Sequence, residues 1–367
     1  MKKGNAFILT GNPARTFFLV LAAFAIFLFS LNPELVQRYY ASGFYPVLSR
    51  GLRFISSLFP FATGDAYYVL LIFFVIRAVF LIFRKRKSGI KINVPVILTK
   101  ILHTVLILFI VFKLLWGLNY DRPPIHQQLH IPYSKYNEHE LVRLTRFFIG
   151  RLNALQPHVR FDTTYTLSVL REKAVLAYQQ NSSGNALFRY KTPSVKAPLS
   201  SWLTSKTGIE GYYNPLSAEA NINMLLPAWV LPFVTCHEMA HQQGIAREDE
   251  ANLLGYLTAV QSDDVNFQYS ACYSMLRYLL FEVQLKSPDD YEALYQEISP
   301  EILVNFKAER VFWQKYNSQM SSYMNVAFDK FLKLNRQKSG IQSYRNIVVW
   351  LWNIHKKELE FTDHQQF

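Results

Sequence analysis

His237 and His241 stand four residues apart, with Glu238 beside the first, in the segment FVTCHEMAHQQGIAREDEANLLGY over residues 233–256. On a helix this spacing puts both imidazoles on one face, one turn apart, where their nitrogens can reach a single Zn2+. Glu238 can then face the open coordination position rather than the metal. That arrangement suits hydrolysis of an amide: zinc acidifies water and polarises the carbonyl, and the carboxylate takes the proton as the water attacks. Residues 228–241 are apolar enough for a buried helix, and Gly244 supplies a stop three residues after the second histidine. Three polar groups on a buried helix need partners, and a metal satisfies them together.

A third protein ligand is required if one position is to stay open. Glu248, Asp249 and Glu250 follow the Gly244 turn and open a second helix. Glu248 is the favoured ligand and Glu250 the alternative, with the unused acid stabilised by the positive end of the helix. Asn252 lies one turn after Glu248, on the same face, where its carboxamide could orient a ligating imidazole. Catalysis also needs a donor for the developing oxyanion. Tyr344, Tyr213 and Tyr212 are candidates by residue type. An edge strand beside the active helix would bind substrate backbone by strand addition, and Asn221 to Leu226 (NINMLL) is the candidate segment, with an ordinary core strand as the competing reading.

These residues must be positioned by a mainly α chain. Apolar residues recur at helical spacing over 139–155, 163–180, 250–261, 267–285 and 300–336, while 181–227 carries Gly, Pro and aromatic residues suited to loops and short strands. Upstream the composition changes. Three apolar runs, about 16–31, 67–83 and 101–118, are each close to the length that crosses a bilayer. The first could be a signal peptide, but it lacks a small-residue cleavage site and two more runs follow, which favours retention. Residues 1–120 therefore read as a membrane domain with three transmembrane helices, and 121–367 as an extracytoplasmic domain opened by Asp121-Arg122-Pro123-Pro124.

The charge supports this division. The formal net charge is +13, and the first 120 residues hold fourteen Lys and Arg against two acids. Bases placed between apolar runs set topology, whereas a nucleic-acid surface would put them on the globular part. Residues 84–100 hold six bases and no acid, so this loop and the N-terminus are expected in the cytoplasm, with 32–66 and everything after 120 outside. The amphipathic 32–66 segment is expected along the membrane surface. Arg77, His103 and Lys113 read as snorkelling or helix-contact residues, with a transport relay as the competing reading. Cys236 and Cys272 are the only cysteines; they read as buried thiols rather than a disulfide framework.

Glu248-x-x-Ala251-Asn252 resembles the E-x-x-A-[DN] element that follows HExxH in membrane-associated gluzincin peptidases. That resemblance implies His237, His241 and Glu248 as zinc ligands and Glu238 as general base. Arg247 occupies the position where the metzincin pattern requires histidine, and the interval from His241 to Glu248 is shorter than gluzincins usually show. Gly208 to Leu257, the three apolar runs, Trp116 to Tyr120 and the GIQSY segment from Gly340 to Tyr344 resemble the bacterial family catalogued as domain of unknown function 3810. The resemblance implies a zincin-like α+β catalytic domain, a bacterial cytoplasmic-membrane location, and peptide or protein substrates in the cell envelope. The competing functions are a non-catalytic membrane scaffold with a structural zinc and, on the intramembrane bases alone, a small transporter.

Overall fold

The computed structural model describes residues 12–88, 93–161, 165–316, 318–340, 342 and 346–364, without the side chains of 85 and 361–364. Tyr344 lies outside the described residues. The chain is mainly helical, with one small sheet.

Three helices are long and apolar enough to cross a membrane. The first, Pro13–Ser30, starts where the Asn12 carboxamide accepts the Ala14 and Arg15 amides, with proline at its first position. The second is Thr63–Lys87. The third, Val94–Leu115, is capped by Asn93 and stops at Trp116, whose φ of −153° leaves the helical region. It therefore starts earlier and ends three residues sooner than the apolar run, and Gly117–Asp121 continues as a 3-10 turn. The first and third helices pack together, joined by Thr16 Oγ1 and His103 Nε2 at 2.8 Å. Lys113 reaches past the helix end to Asp121 at 2.8 Å. His103 thus makes the helix contact expected of it, while Lys113, rather than snorkelling, forms a largely buried ion pair, and Arg77 is exposed on the second helix.

Residues 32–66 do not simply lie on a surface. After a short π-helix, Val36–Phe44, the helix Tyr45–Ser57 buries Tyr45, Ser49, Arg53 and Ser56 against the globular part. Val36, Tyr40, Tyr45, Trp116, Leu118, Tyr120 and Ala246 form a second core below the larger one. The membrane-flanking segments are thereby built into the site's own packing.

The main core surrounds the helix Leu231–Gln242, the motif helix, all twelve of whose residues are buried. Around it pack Glu248–Val260 (the ligand helix), Val265–Lys286, Leu167–Gln180 and the sheet. Helix Glu138–Leu155 covers Val265–Lys286 from outside. The periodic stretch 300–336 is two helices, Pro300–Tyr316 and Gln319–Leu334; Ser318 before the second is extended and donates to the Lys206 carbonyl at 2.9 Å. Cys236 and Cys272 are buried and free.

The sheet has the order β1 (Val195–Lys196), β3 (Glu219–Ile222), β2 (Gly211–Asn214). β3 pairs parallel with β1 and antiparallel with β2, Tyr213 opposite Ala220. Of the two readings of 221–226, the structure bears out the core strand and not the substrate-binding edge, and shortens the span. The strand ends at Ile222, because the Asn223 carboxamide accepts the Leu225 amide and turns the chain. It is also central, with both of its edges paired. The strand on the site's side is β2.

Candidate metal centre

The motif helix ends where the Gln243 and Gly244 amides donate back to the Ala240 and His241 carbonyls and Gly244 takes a φ of +83°. A side chain there would also meet Tyr45 at 2.9 Å and Asn119 at 3.0 Å, so glycine is required twice over. The reversal sends Ile245 and Ala246 under the helix and starts the ligand helix at Glu248. The two helices cross closely at Gly255, where a Cβ would come within 3.0 Å of the His237 amide nitrogen and 3.1 Å of its Cα. The crossing therefore depends on a missing side chain, and alanine there would cost about 1–3 kcal/mol by overpacking.

This crossing brings His237, His241 and Glu248 into one buried group able to hold a metal ion. Glu248 Oε2 lies 3.3 Å from His237 Nε2 and 3.4 Å from His241 Nε2. Two ligands each about 2.0–2.1 Å from a tetrahedral zinc are separated by about 3.3–3.4 Å. The two edges that meet at Glu248 thus already have the length of such a site. His241 Nδ1 donates to the Ile245 carbonyl at 2.6 Å, which leaves Nε2 as the ligating atom. Its ring is further held by Trp116, edge-on at 5.9 Å, and by Tyr213 at 6.5 Å. Burial raises the cost of Glu248's charge, but the two imidazoles outweigh it and hold the carboxyl well below its usual range. Burial likewise opposes a charge on His241, and Glu248 overrides it, lifting the imidazole to about 9.

Glu250, the alternative ligand, does not join them. It accepts the Ile125 amide at 3.2 Å and faces Arg247 at 3.4 Å, and burial pushes it up to about 7. Two residues beyond Glu248 on a helix, it points to a different side. Asn252 is also placed differently from the expectation. It is buried on the Glu248 face, but its amide donates to the Tyr278 hydroxyl at 3.3 Å, because helix Val265–Lys286 stands opposite that face. His237 Nδ1, which it could have served, is buried without a hydrogen-bond partner.

Glu238 is buried beside the group. Its Oε2 also has no hydrogen-bond partner, and burial pushes its carboxyl up to about 7 against the opposing pull of the two histidines. β2 lies across it, and only glycine fits at position 211, since a Cβ there would come 2.8 Å from Glu238 Cγ and Oε1. The alternation of β2 sends the two sequence-predicted tyrosines apart. Tyr212 donates to Asp65 at 2.6 Å, away from the site. Tyr213 turns toward His241, but its hydroxyl pairs with that of Tyr45 at 3.2 Å.

The tyrosine that sequence reading missed is Tyr278. Its hydroxyl oxygen accepts from Asn252, which leaves its proton to be donated elsewhere. Burial, with the nearby Glu210 and Glu248 carboxylates, raises it to about 12, so it stays protonated. Its neighbour Arg277 joins Glu210 at 3.0 Å to Glu309 at 3.1 Å. Among 22 tyrosines, nothing local marks this one; only the partnership of Asn252 with a residue 26 positions later does.

The model of the family described as protein of unknown function (DUF3810) matches residues 40–352. No curated protein and no solved structure matches the chain.

Proposed function

Because the chain belongs to the DUF3810 family, for which no activity is described, we propose its function from its own geometry: a membrane-anchored, zinc-dependent peptidase with a zincin-like catalytic domain. The observation that carries this reading is Glu238, a buried carboxylate whose Oε2 has no partner, set beside three side chains spaced as zinc ligands. A purely structural metal site has no use for such a group. This favours hydrolysis over the scaffold reading.

In this reading His237, His241 and Glu248 hold the metal. A zinc ion there would supply a Lewis acid for the substrate carbonyl and make water a better nucleophile at neutral pH. Glu238 takes the proton from the attacking water and returns it to the leaving amine. A carboxyl held near 7 is suited to both transfers. Tyr278 donates its hydroxyl proton as a hydrogen bond to the oxygen that gains charge, with Asn252 fixing its orientation. The β2 strand, rather than β3, offers the free edge for the substrate backbone.

Tyr278→Phe should keep the fold and the metal while lowering kcat by about 10²-fold, the usual effect of losing one oxyanion donor. Stopped assays at saturating peptide would show it, and an unchanged kcat would remove Tyr278 from the reaction. The basic 84–100 loop supports an orientation with the N-terminus in the cytoplasm and the catalytic domain outside. A C-terminal reporter that is active only outside the cytoplasm should give signal; activity of a cytoplasm-only reporter would reverse the orientation.

A further inference from the structure

The helix Tyr45–Ser57 has its polarity inverted. Its buried stripe is Tyr45, Ser49, Arg53 and Ser56, packed on the globular part: Ser49 donates to the Gln242 carbonyl at 3.2 Å, Arg53 lies over the Tyr190 ring, and Ser56 pairs with Ser194 at 2.7 Å. Its outward stripe is mainly apolar, with Val47 64%, Phe54 60% and, just past the helix end, Leu58 67% exposed; the one charge on it is exposed Arg50, whose long stem can lie along lipid while its guanidinium reaches the headgroups. A helix facing water would carry the opposite pattern. The chain enters this segment from one membrane-length helix and leaves it into another, so the solvent that fits the outward face is lipid.

The same segment is fastened to the metal centre. Tyr45 donates to the carbonyls of His241 and Gln242 at 3.4 Å. Trp116, the residue that ends the third membrane-length helix, lies against the His241 ring. The start of the second such helix is held by Glu219 of β3, which accepts the Thr63 and Gly64 amides at 3.0 and 2.8 Å. Nearby, Asp65 accepts the Leu199 amide at 2.9 Å, and Trp202, 58% exposed, follows on the next helix. The metal centre is therefore held at a fixed, shallow height, with a ligand ring only 5.9 Å from the residue that closes a span.

We infer that the outward face of Tyr45–Ser57 is embedded at the lipid surface and that the substrates are membrane-anchored polypeptides, cut within a few residues of the bilayer. The substrate half of this inference rests on the peptidase reading. An extended chain advances about 3.3–3.6 Å per residue, so the bond delivered to His237, His241 and Glu248 lies only a few residues from the membrane.

Two measurements on the full chain in phospholipid vesicles test it. Nitroxides at Val47→Cys and Phe54→Cys, with buried Cys236 and Cys272 left unlabelled, should collide with oxygen far more than with a water-soluble nickel chelate. Glu172→Cys, on an exposed side chain of the globular part, should show the reverse. Chelate access at 47 and 54 equal to that at 172 overturns the placement. For the substrate, a random-sequence peptide segment is attached to phosphatidylethanolamine either directly or through about 15 prolines, a stiff spacer of about 3.1 Å per residue. The directly attached segment should be cut at least about tenfold faster than the distant one. Equal rates, or faster cutting of the distant segment or of the free peptide, overturn the substrate class. Cleavage of none of the three defeats the peptidase reading and the substrate class with it, and the nitroxides still decide the placement.

Discussion

Glu238→Gln should retain about one zinc per chain and lose about 10³-fold in the hydrolysis of a peptide library read by mass spectrometry. The magnitude follows from the role: a positioned general base contributes about 10²–10⁴-fold, and glutamine fills the same space without accepting a proton. The site makes the substitution clean. Glu238 Oε2 has no hydrogen-bond partner to lose, and the close contact of β2 at Gly211 is with the Cγ and Oε1 that glutamine preserves in shape. Metal content, measured on the same preparation, separates a lost base from a lost site. A variant that still cleaves within tenfold of the parent would deny Glu238 its role.

Removing a ligand should have a different signature. His241→Ala and Glu248→Ala should each weaken zinc binding by more than about 10²-fold, since loss of a mere supporting partner already costs about 10–10²-fold. Glu250→Ala should keep the metal, because Glu250 serves Ile125 and Arg247 instead, and its expected defect is in thermal stability. Zinc titration of the purified variants against a competing chelator gives the order. Retention by Glu248→Ala together with loss by Glu250→Ala would reverse the ligand assignment. With His241 gone, Glu248 would be left as a buried carboxylate short of one imidazole, so that variant should also unfold at lower temperature than its parent.

Much of this centre was readable because it is local. The interval of four between the histidines, the Gly244 stop and the opening of a helix at Glu248 all lie within a dozen residues, where helical geometry alone fixes directions. The same geometry separates Glu248 from Glu250, once the crossing at Gly255 shows which side of the ligand helix faces His237. What sequence could not supply is what depends on distant chain. Asn252 faces as its spacing requires, but the group opposite is Tyr278, brought there by a later helix. Asn221 and Ile222 belong to a strand, but whether it is central or an edge depends on pairing with Val195 and Gly211. Residues 45–57 have an amphipathic pattern that fits a membrane surface. The pattern does not reveal that Ser49 and Arg53 face inward, because polar residues on a helix ordinarily mark its wet side.

The docking of Tyr45 and Trp116 onto the motif helix has a practical consequence for preparing the protein. Excising the hydrophobic third to obtain a water-soluble fragment from residue 121 onward would strip away the donors to the His241 and Gln242 carbonyls and the ring that braces His241. It would also remove the Thr63 and Gly64 donors to Glu219, leaving a fully buried carboxylate with Ser217 as its remaining donor. The truncated form should be a poor reagent, and the intact chain in detergent or lipid is the smallest object that preserves the centre.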